Sequence, residues 1–313
     1  MLRLVLVKIY VKRKYPALDF YAEPNEGALK QKNAALLHQV VGIIVNNTDT
    51  TVLTICLGAK SLLEVSVYGI YMMVVNAVNQ LMTSFSNGLT AGFGEVIAKN
   101  EEETLKKSYS SYEYMYFVIM FIVIACMGVL ILPFVGVYTI NLTDVQYVRP
   151  VLGILFTLIV FMQNVRIPGL TIICAAGHYK ETRYQAILEA VINITVSLGL
   201  VWKFGMAGVL LGTVCSYGYR SFEIVFYTSR HLVKGCAKKS MFRILRNVFT
   251  VAILCTVGTY VIPQEITSFT TWFLYAIGMG LTSVFFVVVI NYVVEPDEFM
   301  QLRHRVNDII KKE

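Results

Sequence analysis

Apolar stretches of about 20 residues recur along this chain, and they constrain its fold more than any other feature. A helix rises about 1.5 Å per residue, so a stretch of this length crosses the roughly 30 Å hydrocarbon core of a bilayer. The composition agrees: 56% of the residues are hydrophobic, 15% are charged, and the mean hydropathy is +0.63. A soluble domain is typically about 45–50% apolar and about 25% charged. The pattern therefore predicts an all-α integral membrane protein that crosses the bilayer several times.

Eight stretches are apolar and long enough to be transmembrane helices. The seventh is the weakest, because Arg243 and Arg246 crowd its start. The links are mostly short and contain no Gly/Ser-rich linker, which predicts one helical membrane unit without a separate soluble domain. The approximate limits of the eight spans are 34–57, 63–87, 112–136, 151–175, 183–202, 205–227, 245–262 and 270–294.

Basic residues are distributed unevenly between the two sides that these spans define. Of the 27 lysines and arginines, only Lys60, Arg149 and Lys203 fall on one side, and Arg166 and Arg220 fall within spans. The others lie on the opposite side, and loops rich in basic residues stay in the cytoplasm. The sequence thus predicts a multi-pass protein of the plasma or inner membrane with both termini cytoplasmic. The net charge of +7 reflects this topology rather than a nucleic-acid partner.

The two ends of the chain differ from the spans. Residues 1–26 are predicted to form a cytoplasmic stub, whose apolar start is too short and too basic to cross a bilayer. Two interpretations stay open for it, the end of a helix that has lost its start and an interfacial helix. A signal peptide fits poorly, because basic residues follow the apolar run and no small-residue cleavage site is present. Residues 295–313 carry apolar side chains on one helical face, which predicts an amphipathic cytoplasmic tail.

Polar side chains recur at helical spacing inside several spans. In the first span His38, Gly42, Asn46 and Asp49 stand four, four and three residues apart and share one face. Such a face cannot point at lipid, where each unpaired polar group costs several kcal/mol, so it meets other helices or a polar cavity. The residues that we expect to line such a cavity are Asp49, Asn46, Arg166, Asn76, Gln80, Glu189 and Asn193.

Asp49 and Arg166 are ionisable residues near the middle of predicted spans. A charge at this depth costs at least about 2.5–3.5 kcal/mol and usually marks a function. Two hypotheses stay open: the two residues form an ion pair, or they line a hydrophilic cavity in which Arg166 binds an anion. A guanidinium suits phosphate because its planar donors bind two oxygens at once. Pro168 and Gly169 follow Arg166 directly and predict a loosened helix there.

Small residues indicate close helix packing in the sixth span, where Gly208, Gly212 and Ser216 stand four apart. Arg220 continues this row, and an i,i+3 pair with Glu223 would suffice to hold its charge. The four histidines lack ligand spacing and the six cysteines form no CxxC pair, so we expect neither a metal nor a cofactor. No catalytic arrangement of residues emerges, and the sequence predicts a protein that is not an enzyme.

Two stretches resemble the polysaccharide-exporting flippases of the multidrug/oligosaccharidyl-lipid/polysaccharide exporter superfamily, the MATE-like transporters. The first is NNTDTTVLTICLGAKSLLEVSVYGIYMMV, followed by SNGLTAGFGEVIAKNEEE. The second is RIPGLTIICAAGHYKETRYQAILEAVINITVSLGLVWKFGMAGVLLGT. The resemblance covers about residues 27–230, and the last two spans match only in position and character.

The resemblance implies a function and a domain organisation. Residues 27–230 correspond to a six-helix C-terminal lobe, and residues 231–294 add two transmembrane helices. Members of the family use two lobes to move an undecaprenyl-pyrophosphate-linked glycan across the lipid bilayer by alternating access. The first lobe has no counterpart here, which implies either a fragment or a partner chain that supplies it. By resemblance, Arg166 contacts the pyrophosphate, and Asp49 and Asn46 shape the polar wall.

Three other hypotheses remain open. The same fold could serve a cation-coupled multidrug antiporter, in which Asp49 binds H⁺ or Na⁺. A membrane glycosyltransferase or acyltransferase is disfavoured by the short outer loops and by the lack of a His/Asp pair at a membrane face. The chain could also be an inactive fragment with no transport of its own.

Overall fold

The computed structural model describes residues 2–16, 31–86, 89–99, 101–263 and 265–300. These residues form α-helices, one short 3₁₀ helix at Gly58–Lys60 and no strand, which confirms the predicted all-α class for the described part of the chain. The helices are α1 (Leu2–Lys14), α2 (Lys32–Cys56), α3 (Ser61–Ser86), α4 (Leu89–Ala98), α5 (Glu102–Tyr138), α6 (Pro150–Val165), α7 (Ile167–Ala175), α8 (Arg183–Phe204), α9 (Met206–His231), α10 (Cys236–Val261) and α11 (Phe269–Val294).

Six helical segments within the described residues are long and apolar enough to cross a membrane. They contain α3, α5, α6 with α7, α8, α10 and α11, and they indicate a multi-pass membrane protein. The other two predicted spans, 34–57 and 205–227, coincide with α2 and α9. Both are long helices, but their polar residues lower their hydropathy. Length and composition therefore support six spans, and the count of eight stays a prediction.

Some parts of the chain differ from the predicted outline. Helix α4 was not predicted; it packs against α7, and its buried Phe93 lies with its ring centroid 5.6 Å from that of Tyr112. Helix α5 begins at Glu102, ten residues before the predicted span. Most of the second half of the stub, and the tail from residue 301, lie outside the described residues.

The predicted weak point after Arg166 is a break in the helix. Helix α6 ends at Val165 and α7 begins at Ile167, with Pro168 in its first turn, where a missing backbone N–H is tolerated. A Cβ added to Gly169 would lie 2.6 Å from the Cγ2 of Ile224, so glycine lets α7 approach α9 closely. The break confirms the prediction and leaves Arg166 at the junction of two helices.

The starts of α2 and α8 lie close together, because the Nε2 of His38, near the start of α2, lies 3.3 Å from the hydroxyl of Thr182, which directly precedes α8. Helix α8 packs against α2 and α9, α6 packs against α9 and α3, and α5 carries α10 and α11 on its other side. The predicted contact of small residues lies between α8 and α9. A Cβ on Gly212 would lie 2.7 Å from the backbone nitrogen of Ser197, and one on Gly208 would overlap the carbonyl oxygen of Leu200. Ser216 is fully buried in the same interface.

A buried ionic cluster ties α10 and the end of α11 to α5. Arg243 is 1% exposed, and its Nη1 lies 3.0 Å from the Glu113 Oε2. The Arg243 Nη2 lies 2.9 Å from the Glu295 Oε1, and the Arg243 Nη1 also donates to the carbonyl oxygen of Ser110 at 3.0 Å. The sequence indicated Arg243 only as a residue that weakens the seventh span. The structure shows it as the centre of an ion-pair network.

Glu298 lies at the edge of this cluster, beyond the end of α11. Lys239 Nζ approaches its Oε1 to 2.7 Å, and the Ser110 hydroxyl donates to the same oxygen at 2.7 Å. Burial raises the pKa of Glu298, but the hydrogen bonds from Lys239 and Ser110 and the charges of Lys239 and Arg243 outweigh it and lower the pKa below its ordinary value. The ionised form of Glu298 therefore stabilises the fold.

Candidate ligand-binding cavity

A cavity of about 410 Å³ lies among α2, the α6–α7 break, α8, α9 and the loop of residues 176–182. Ala35 and Ala186, near the starts of α2 and α8, line it, as do Tyr179 and Thr182 from the loop. The cavity therefore lies toward the end of the bundle where α2 and α8 begin. Its volume falls within the range of small-molecule sites.

Arg166 reaches into this cavity from the helix break. Its Nη1 donates to the Glu189 Oε1 on α8, and its guanidinium lies over the ring of Tyr217, with the Cζ 4.5 Å from the ring centroid. The Tyr217 hydroxyl in turn donates to the Asn46 Oδ1 on α2 at 3.2 Å. The Arg166 Nε finds no hydrogen-bond partner among the residues that the structure describes. Four helical segments thus hold one guanidinium that still has an unused donor.

A second arginine shares the same carboxylate. The Arg220 Nε lies 3.6 Å from the Glu189 Oε2, and the Arg220 Nη1 donates to the Glu223 Oε2. Arg220 is 2% exposed, and both it and Glu189 line the cavity. The i,i+3 pair between Arg220 and Glu223 that the sequence allowed is present.

Asp49 is not paired with Arg166. Its Oδ1 accepts from the Thr213 hydroxyl at 2.7 Å, and its Oδ2 accepts from the Tyr68 hydroxyl at 3.3 Å. No cationic side chain forms an ion pair with it in the described ranges. The ion-pair alternative is therefore wrong for this conformation, because Glu189 takes the position that Asp49 would have occupied beside Arg166.

Oxygen atoms surround Asp49. The Asn193 Nδ2 donates to the Thr213 Oγ1 at 3.0 Å and lies 3.4 Å from the Ser216 Oγ. Asn193 is fully buried, and its Oδ1 has no hydrogen-bond partner within the described part of the chain. A buried amide oxygen without a partner costs about 1–3 kcal/mol, so this cluster has an unused acceptor next to a carboxylate.

The loop of residues 176–182 contacts α2 and α9 through hydrogen bonds that involve two histidines. His38 on α2 lies with its Nε2 2.9 Å from the carbonyl oxygen of Tyr179 and 3.3 Å from the Thr182 hydroxyl. His178 lies with its Nδ1 2.9 Å from the hydroxyl of Tyr227 on α9. These contacts hold the loop against the cavity, which Tyr179 and Thr182 line.

The predicted cavity residues occupy three different positions. Asn46, Arg166 and Glu189 line the cavity, whereas Asp49 and Asn193 lie buried together next to it. Asn76 and Gln80 are exposed on α3 and are not among the residues that line it.

On α3, Asn79 faces the lining of the cavity, whereas Tyr68 reaches Asp49. The Asn79 Nδ2 donates to the Gln163 Oε1 at 2.9 Å, and Gln163 lines the cavity. Sequence reasoning also missed Tyr217, because a tyrosine at a helix position normally indicates packing. The signal that could have found it is its place one residue after Ser216 and three before Arg220 on the polar face of α9.

A separate apolar groove of about 650 Å³ lies between α10 and α11. Both helices pack on α5 and leave this space between them. Its lining is almost entirely apolar and includes Phe249, Leu254, Leu274 and Phe286. In a bilayer such a groove suits a hydrocarbon chain.

No protein-family model matches the chain, and no curated protein is significantly similar to it.

Proposed function

We propose that this chain forms the C-terminal lobe of a MATE-like flippase that moves an undecaprenyl-pyrophosphate-linked glycan across the plasma or inner membrane by alternating access. The opposing lobe comes from other polypeptide segments, since transport of this kind needs two units that rock around a shared site. In this proposal both termini face the cytoplasm and the chain performs no covalent chemistry. In this topology the cavity lies at the cytoplasmic end of the bundle, where the lipid-linked precursor is loaded.

The observation that carries the proposal is a pair of arginines in a cavity inside an apolar helical bundle. Arg166 and Arg220 both line the cavity and share one carboxylate of its lining, that of Glu189, while Arg220 also pairs with Glu223. Arginines at membrane depth are costly and mark substrate pathways. Their planar donors match the oxygens of a diphosphate.

The groove between α10 and α11 supports a lipid-linked cargo rather than a free sugar. A polyprenyl chain requires an apolar path at the side of the protein while its head group occupies a polar cavity. The groove supplies about 650 Å³ of apolar space on helices that are mostly exposed on their outer faces. Each buried CH₂ contributes about 0.8 kcal/mol.

The test is replacement of Arg166 by alanine in cells whose own copy of the gene is deleted. We expect Arg166→Ala to abolish surface glycan and to leave membrane insertion unchanged, because the head group loses a charged contact. Surface glycan is measured by lectin or antibody staining, and insertion by immunoblot of membranes. Lys60→Ala, at an exposed position of the 3₁₀ helix, is the control and keeps export. Normal export in Arg166→Ala would refute the phosphate role.

A second candidate function is a cation-coupled multidrug antiporter, and the surroundings of Asp49 favour it. Asp49 is buried, has no cationic partner among the described residues, and lies beside the unpartnered Asn193 Oδ1. Such an oxygen cluster suits H⁺ or Na⁺. Substrate-stimulated proton or sodium flux that is lost in Asp49→Asn, with glycan display intact, would select this function. Absence of both activities from the wild-type chain would indicate that it has no transport of its own.

A further inference from the structure

One carboxylate serves two buried guanidinium groups at the cavity wall. Glu189 accepts from the Arg166 Nη1 with one oxygen and lies 3.6 Å from the Arg220 Nε with the other. Glu189 comes from α8, whereas the arginines come from the α6–α7 break and from α9. The carboxylate therefore bridges separate elements at the point where a ligand would contact both arginines.

This arrangement leaves hydrogen-bonding capacity unused. The Arg166 Nε has no acceptor, and the Glu223 Oε1 has no donor, among the residues that the structure describes. The second contact of Glu189, at 3.6 Å, is also longer than a hydrogen bond. A fully optimised structural ion pair would use these groups, because each unpaired buried polar atom costs about 1–3 kcal/mol. The arginines are thus held together but not saturated.

We infer that Glu189 is a built-in competitor for the anionic ligand: its carboxylate occupies the diphosphate position between Arg166 and Arg220 and is displaced when the head group binds. This inference rests on the proposed function, since it assigns a role to one residue of the same cavity. A carboxylate offers two oxygens and one charge, whereas a diphosphate offers more of both. The ligand can therefore replace Glu189 at both arginines.

A competing carboxylate has two energetic consequences, one for the protein without ligand and one for ligand release. Without it, Arg166 would lose its carboxylate partner and Arg220 would keep only Glu223, and an uncompensated buried charge costs about 3–5 kcal/mol. With it, binding is weakened by the contacts that the ligand must break, so the ligand can also leave. The charges around Glu189 come from Arg166 and from Arg220 and Glu223 on α9, and His38 on α2 also lines the cavity.

The test compares diphosphate binding by wild-type protein and Glu189→Gln, purified as the full chain in nanodiscs. Binding of inorganic pyrophosphate is measured by isothermal titration calorimetry. We expect Glu189→Gln to bind at least about tenfold more tightly, because a neutral amide competes less for the arginines. Tenfold corresponds to about 1.4 kcal/mol.

Two controls remove the same charge elsewhere. Glu223→Gln lies next to Arg220 but is not part of the cavity lining, and we expect a change below about threefold. Glu64→Gln breaks the pair with Arg149, where the Arg149 Nη1 lies 2.8 Å from the carboxylate, at the other end of the bundle. It should leave pyrophosphate binding unchanged.

A second probe, farnesyl pyrophosphate, distinguishes a lipid head group from free diphosphate. Tighter binding of farnesyl pyrophosphate than of inorganic pyrophosphate identifies the lipid as the ligand.

The outcomes separate this inference from the proposed function. Tighter binding by Glu189→Gln than by wild type and Glu223→Gln supports the competitor role. Equal or weaker binding by Glu189→Gln, while the wild type binds, overturns the competitor role and leaves the proposed function standing. No binding by either protein overturns the diphosphate site and both proposals. If the glutamine variant does not fold, Glu189→Asp replaces it; its shorter side chain loosens the bridge, and weaker binding than wild type would refute the inference.

Discussion

Replacing Arg243 by methionine should destabilise the protein more than almost any other single substitution of a charged residue. Arg243 is 1% exposed and pairs with three carboxylates, those of Glu113, Glu295 and Glu298. Methionine has a similar length and fills most of the space. The cost therefore comes from the charges left behind rather than from a cavity.

Glu113 is the carboxylate that loses its arginine partner in this substitution. Glu295 keeps Arg246, whose Nη1 lies 2.9 Å away, and Glu298 keeps Lys239. Glu113 is 2% exposed and keeps only the hydroxyls of Ser240 at 2.5 Å and of Tyr109 at 3.0 Å. Removing one partner of a buried pair costs about 3–5 kcal/mol, and these two hydroxyls place the expected loss near the lower end.

The free energy of unfolding is measured by SDS titration in mixed micelles, followed by the fluorescence of the chain's two tryptophans. Lys60→Met, at an exposed position, is the matched control and should change the free energy by less than about 0.5 kcal/mol. The double variant Glu113→Gln/Arg243→Met should recover part of the loss, because it removes the stranded charge. A loss in Arg243→Met no larger than in Lys60→Met, or a double variant less stable than Arg243→Met, would refute this reasoning.

Three further predictions concern packing, pH and the loop over the cavity. Gly212→Ala should lower the free energy of unfolding by about 1–3 kcal/mol, because the added Cβ overlaps α8. Gly199→Ala, where the space is open, should be neutral or stabilising in the same titration. Equal effects of the two substitutions would contradict the packing. Because the folded-state pKa of Glu298 is lowered, its stabilisation is complete above the unfolded-state value of about 4.3 and is lost as the pH falls through the folded value. The melting temperature of wild type should thus fall more between about pH 6 and pH 3.5 than that of Glu298→Gln, and parallel curves would refute this. His38→Ala should release the loop of residues 176–182 from α2. In a variant whose single cysteine is Cys174, which lines the cavity, the rate of labelling by a maleimide should then rise. An unchanged rate would show that His38 does not hold the loop.

The helical outline could be predicted because the signals for it are local. Apolar length predicted the long helices, and the sequence of Pro168 and Gly169 predicted the break before them. The spacing of Gly208 and Gly212 predicted the close contact of α9 with another helix. Each of these depends on residues within one or two turns of each other, where steric rules act directly.

The partners of the buried charges could not be predicted, because they depend on which helices meet. Asp49 and Arg166 were matched by depth and sign, yet Glu189 pairs with the arginine and two hydroxyls serve the aspartate. Depth along the membrane normal follows from the sequence, but rotation of each helix about its own axis does not. The exposed Asn76 and Gln80 lie about 60° and about 100° around the axis of α3 from the inward-facing Asn79.

Two buried arginines of the described part of the chain, Arg166 and Arg243, differ in how many of their donors are already in use. Each nitrogen of Arg243 has an acceptor among the described residues, and Arg243 lines neither the cavity of about 410 Å³ nor the groove between α10 and α11. Arg166 has an unused donor, lies at a helix break and borders the cavity of about 410 Å³. An arginine whose donors are all in use resists exchange of partners, because any new contact must break an equal one. In the proposed function we therefore assign the diphosphate to Arg166 rather than to Arg243.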